Sequence, residues 1–219
     1  MHKRALIVLV GITANRAKRA RLAAFFMRAD DYDVYVPAMP QRLGLRYCVR
    51  WLRKYLSRTV ARKPYQRIDF LSYISGGLIF RYAIQDFSIA NLGRVVFVRS
   101  PVQEKVPAAL VAKFGKLLTG LMLGRMVLDL CSADLGNPPI PENAAERGLI
   151  IESGVSKAAR SLGLSASDVP AEIWKPASLL SDATDWRSVP ESHDDIYTAP
   201  SVLSLVHGFL RDGHFPPPG

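Results

Sequence analysis

The stretch "RIDFLSYISGGLIFRYAI", residues 67–84, holds the side chains best placed for chemistry. A short apolar strand runs into a turn with Gly76 and Gly77, and an apolar-faced helix follows. Such a turn presents one side chain at its apex, where a serine would serve as a nucleophile toward a carbonyl. The hydroxyls on offer are Ser72 and Ser75, on either side of Tyr73 and Ile74. Other chemistries find less support. His2, His193, His207 and His214 show no recurring ligand spacing, so no metal site is expected. No cofactor is expected either: "GGLIF" lacks the lysine of a phosphate loop, and "VGITAN" lacks the glycine spacing of a dinucleotide fingerprint. Cys48 and Cys131 stand 83 positions apart and read as small buried hydrophobes, in a reducing, cytoplasmic setting.

The elements that would position these residues alternate along the 219-residue chain. Strands are expected at 5–10, 33–37, 67–71, from 94 ("RVVFVRS"), at "RGLIIES" and at "TDWRSVP". Helices are expected at 16–29, 44–61, 76–86 and in the closing "SVLSLVHGFLRDG". The start, "MHKRALIVLVGITANRA", imitates a signal peptide, but its apolar run is short, β-branched and ends on Gly11, which favours a buried strand. Between 100 and 147 an apolar segment precedes the breaker-rich "LGNPPIPEN", which suggests a helical lid or cap inserted in one domain spanning 1–219. With 49% hydrophobic and 22% charged residues, the pattern predicts an α/β fold: a mainly parallel sheet of about six strands with helices on both faces. No apolar run approaches the length of a bilayer span. Ligands of such sheets bind beyond the carboxyl ends of the strands. That rim would hold Gly11 to Asn15, Ser72 to Gly76, Ser100 to Gln103, Glu152 to Gly154 and the segment after Val189.

Charge singles out a second region. The formal net charge is +10, and Arg42, Arg46, Arg50, Arg53, Lys54, Arg58, Arg62, Lys63 and Arg67 crowd into 42–67. Helical spacing makes Arg46, Arg50, Arg53, Lys54 and Arg58 a stripe along the 44–61 helix. It is either a solvated face or a contact for a phosphate-bearing or acidic partner: an anionic membrane surface, an acidic protein or, less favoured, nucleic acid. Tyr47, Trp51 and Tyr55 share the spacing of the apolar face and read as core.

From strand-ending Gly11 through "SYISGG" to "SHDDIYTAPSVLSLVHGFL", the chain resembles the α/β-hydrolase superfamily, particularly its compact lipases and esterases. Relatives usually read G-x-S-x-G-G at the turn. Aligned on Gly76 and Gly77, Ser72 takes the first small position and Ile74 the nucleophile position, where a hydrocarbon cannot attack a carbonyl. Sliding the register by one makes Ser75 the nucleophile but puts Tyr73 at a crowded position that wants a small residue. The resemblance places the oxyanion loop at Gly11, Ile12 and Thr13, although Val10 stands where relatives commonly carry histidine. It places the base at His193 and the acid at Asp168 or Glu152. What it implies is a pseudoenzyme, a non-hydrolytic binding or scaffold protein. One alternative is an active carboxylic-ester hydrolase using Ser75 and His193, with 107–128 as a lid over an apolar or acyl ligand; the other is a basic-surface module on anionic lipid or nucleic acid.

Overall fold

A computed structural model describes residues 3–12, 14–29, 32–60, 62–99, 105–131, 138–140, 146–154, 157–161, 182–192 and 194–217. In chain order the strands are β1 (Arg4–Leu9), β2 (Tyr32–Tyr35), β3 (Arg67–Tyr73), β4 (Leu92–Val98), β5 (Arg147–Gly154) and β6 (Asp185–Ser192). The helices are α1 (Arg16–Ala29), α2 (Leu45–Tyr55), α3 (Ser75–Ile84), α4 (Lys105–Leu123), α5 (Arg125–Leu130), α6 (Lys157–Ser161) and α7 (Pro200–Asp212). The sheet order is β2-β1-β3-β4-β5-β6. Every pairing in it is parallel, with Ile7 beside Phe70, Leu71 beside Val96 and Phe97 beside Leu149.

The layering follows from the inner strands being apolar on both faces. In β1, Ala5, Ile7 and Leu9 pack into one cluster with Leu52, Leu56, Leu78 and Phe80, from α2, the turn after it and α3. Leu6 and Val8 pack on the opposite face with Leu22 and Phe26 of α1 and Val206 and Phe209 of α7. Two-sided burial requires cover on each face, and parallel strands require crossover connections, which the helices supply. The signal-like N-terminal run is β1, a central strand with Ala5 to Leu9 fully buried.

Helix ends are settled by particular contacts. Gly44, at φ 91, precedes α2 without a side-chain cap. Asp129 of α5 supplies one from outside, its Oδ2 accepting the Leu45 N–H at 2.8 Å, and its negative charge suits that end of the helix dipole. The helix expected to reach 61 is α-helical to Tyr55 and continues as a π-helical turn over Leu56–Val60. Helix α7 opens on Pro200 and closes on left-handed Gly213, whose N–H donates to the Phe209 carbonyl at 2.8 Å.

Cys48 is fully buried on the inner face of α2. Burial, and after it the Asp129 carboxylate, pushes its thiol up to about 12. At pH 8 only about one thiol in ten thousand is then ionised. Cys48 should therefore resist a disulfide reagent in the folded protein and react once denaturant is added. Mass mapping checks this, and fast modification of Cys48 in native buffer would contradict it.

Candidate functional site

At the carboxyl ends of β1 and β3, the chain passes from strand to helix through Ile74 alone, at φ 51 and ψ −121. A β-branched residue at positive φ is rare and costs on the order of 1–3 kcal/mol. The backbone around it is tied down. Its N–H donates to the Val98 carbonyl of β4 and its carbonyl accepts from the Gly77 N–H, each at 3.0 Å. Gly76 comes so close to β1 that an added Cβ would lie 2.3 Å from the Leu9 carbonyl oxygen. Ile74 is 6% exposed, and its side chain lies against Gly11, where an added Cβ would be 3.3 Å from its Cβ and Cδ1.

The neighbouring hydroxyls point elsewhere. Ser75 is fully buried, and its Oγ donates to Gln41 Oε1 at 2.7 Å. Gln41 in turn donates from Nε2 to the Val10 carbonyl at 2.7 Å. This relay joins the first turn of α3 to the end of β1 through the 3₁₀ turn Gln41–Leu43. An amide oxygen takes no proton, so the bond does not activate the serine. Ser72 Oγ and Tyr73 Oη are buried with no hydrogen-bond partner among the described residues. Burial, and then proximity to Tyr197, pushes the Tyr73 phenol well above its ordinary range.

Tyr197 arrives from the segment between β6 and α7. It is fully buried, its ring centroid lies 4.6 Å from that of Tyr73, and its hydroxyl accepts the Gly11 N–H at 3.2 Å. The Lys18 ammonium sits 5.0 Å from the Tyr197 ring centroid and donates to the Asp194 carbonyl at 3.3 Å. The backbone donor at Gly11 is thus satisfied internally. Ile12 is half-buried at the same edge.

Across the rim, Glu152 is fully buried near the end of β5 and ion-pairs with Arg99, which follows β4 at φ 49. Thr13, Asp168, His193 and the stretch 100–103 lie outside the described residues. The basic stripe divides. Arg46, Arg50, Lys54 and Arg58 are exposed, whereas Arg53 holds the end of α3, donating to the Ala83 and Tyr82 carbonyls at 2.8 and 2.9 Å and to Asp86 at 2.9 Å. Trp51 and Tyr55 stack on each other and pack against the core, while Tyr47 is 43% exposed.

Three residues that shape this region carried no sequence signal for doing so: Gln41, Arg99 and Tyr197. Tyr197 does fall within the "SHDDIYTAP" stretch that the resemblance uses, but its return to Gly11, 186 positions away, is visible only once the sheet is assembled.

No protein-family model matches the sequence, and no curated protein sequence matches it. Solved structures do. An α/β-hydrolase enzyme from the metagenome of sediments from the lagoon of Mar Chica, Morocco, aligns with a TM-score of 0.54 at 15% identity, over 97% of this chain and 92% of its own. The RedJ thioesterase from the prodiginine biosynthetic pathway of Streptomyces coelicolor aligns with a TM-score of 0.60 at 10% identity, over 94% and 84%. An esterase of Pyrococcus furiosus gives 0.54 at 16% identity, over 96% and 83%. Likeness at such identities establishes a shared fold and leaves the chemistry to the residues.

Proposed function

We propose that this chain, which has the α/β-hydrolase fold, binds its ligand without cleaving it. One observation carries the reading: the residue at the strained apex between β3 and α3 is Ile74, a hydrocarbon where acyl transfer needs a nucleophile. The positive φ falls on Ile74, and the glycine crowded against β1 is Gly76, two residues later. Both features favour the register that leaves isoleucine in the reactive position. The Ser75 hydroxyl is committed to Gln41 and the Gly11 donor to Tyr197, which supports loss of the acyl-enzyme route rather than relocation of its nucleophile. Glu152 serves Arg99 in this reading. The ligand in this reading is an apolar or acyl one, as the resemblance to lipases and esterases implies.

A fluorophosphonate probe tests the proposal, because it forms a stable adduct only with an activated nucleophile. The purified protein and its Ser75→Ala variant should both remain unlabelled, with no ester turnover above buffer. Stoichiometric labelling of any serine would overturn the proposal. Turnover that vanishes in both Ser75→Ala and His193→Ala would establish the active hydrolase instead.

A further inference from the structure

We infer that the bent helix α4 and the adjoining turn 41–43 form a surface that docks on an anionic lipid bilayer. The inference is independent of the chemistry at Ile74. Helix α4 is broken at Gly115, which sits at φ 77 and ψ 157 with open space where a side chain would be. Thr119 Oγ1 donates to the Leu110 carbonyl at 3.3 Å. In a straight helix those residues would be about 13 Å apart along the axis, so the two halves fold toward each other and the bend is a tip.

The tip is apolar and in solvent. Leu117 is 80% exposed, Leu121 66%, Met122 58%, Leu118 47% and Phe114 41%. Large apolar side chains clustered on one exposed helix mark an interaction surface. The turn 41–43 is locked to the same helix: Arg42 donates to the Leu121 and Met122 carbonyls at 2.9 and 3.4 Å. It carries Leu43, 56% exposed, alongside.

Charge identifies the occupant. Lys113 and Lys116 flank the bend, and both are exposed, as are Arg42, Arg46 and Arg125 nearby. The sequence has no acidic residue from 105 to 128, and none between Asp33 and Asp69. Asp129, the adjacent carboxylate, is engaged with Arg125 and the Leu45 N–H. A second copy of this chain would bring these cations against their own equivalents. Nucleic acid would satisfy the cations but leave the leucines and Met122 in water, since it prefers aromatic platforms for its bases. An anionic bilayer satisfies both chemistries, with the tip entering the acyl boundary and the lysines meeting headgroup phosphates. No helix among the described residues is long and apolar enough to cross a membrane, so the contact is interfacial.

The test uses the full chain with vesicles of phosphatidylcholine alone and of phosphatidylcholine mixed with phosphatidylserine, read by flotation. Binding should favour the anionic vesicles by about tenfold or more and weaken as salt rises. Leu117→Asp combined with Leu121→Asp should abolish it, and Lys113→Gln with Lys116→Gln should weaken it by about tenfold or more. Thermal unfolding of both variants should match the parent, because every altered side chain is exposed. Equal or absent binding to the two vesicle types overturns the inference, as does full binding by the aspartate variant. Two other results also overturn it: a dimer that the aspartate variant dissolves without any vesicle binding, and oligonucleotide binding in place of vesicle binding.

Discussion

Gly76→Ala should lower the unfolding free energy by about 3 kcal/mol, the upper end of the usual range for overpacking. The added methyl would lie 2.3 Å from the Leu9 carbonyl oxygen and 2.7 Å from its carbon. Both are backbone atoms of β1, which is paired on one side to β2 and on the other to β3. Neither strand can yield without disturbing a ladder, so α3 has to move, and α3 is buried along nearly its whole length. For a chain of this size the loss corresponds to about 6–12 °C in Tm. Gly120→Ala is the control, because the nearest atom to its new methyl is the flexible end of Leu128 at 3.0 Å, and it should stay within about 1 kcal/mol of the parent. Urea denaturation of the three proteins decides the matter. A loss below about 1 kcal/mol for Gly76→Ala would mean that α3 slides freely on β1 and that the conformation of Ile74 is not held by this contact.

That contact also explains what was legible in the sequence and what was not. The alternation of strands and helices and the parallel sheet could be read because continuous apolar runs and intervening amphipathic helices restrict a chain to few architectures. Element ends were read less well. The 44–61 helix changes to a π-helical turn at Leu56 because Leu56 and Val60 are both drawn into the core beside Leu52, a packing decision that helical spacing does not encode. The basic stripe looked continuous, yet Arg53 points at the α3 carbonyls, and nothing within α2 announces a partner thirty residues downstream. The apolar stretch after β4 suggested a lid from composition alone. Its bend depends on one glycine, and the exposure of Leu117 and Leu121 depends on which halves face each other. The paired glycines of "SYISGG" signalled a strand-to-helix turn, whereas the phenol that returns to Gly11 is fixed by long-range topology.

The second large effect concerns Arg99 and Glu152. Arg99→Met or Glu152→Leu alone should each cost about 3–5 kcal/mol, because either breaks an ion pair held in the protein interior. Arg99 is 8% exposed and Glu152 fully buried, so water does little to relieve the remaining partner. Methionine at 99 inherits the same positive φ as arginine, and the Arg99 N–H to the Ile150 carbonyl, at 2.8 Å, is a backbone bond that the substitution retains. Backbone strain is therefore common to both states, and the measured loss reports the charge. The double variant should recover most of the stability, since two hydrocarbons of similar volume replace two desolvated ions, an exchange that is often neutral or favourable. Chemical denaturation of the parent, both single variants and the double variant closes a thermodynamic cycle, with an expected coupling of at least about 4 kcal/mol, since most of both single losses is shared. If the two single losses simply add, the pair is not a unit and Glu152 is available to other partners at the rim. A strong coupling assigns the carboxylate to holding the ends of β4 and β5 together. The rim then owes part of its shape to an ion pair that commits the Glu152 carboxylate to Arg99.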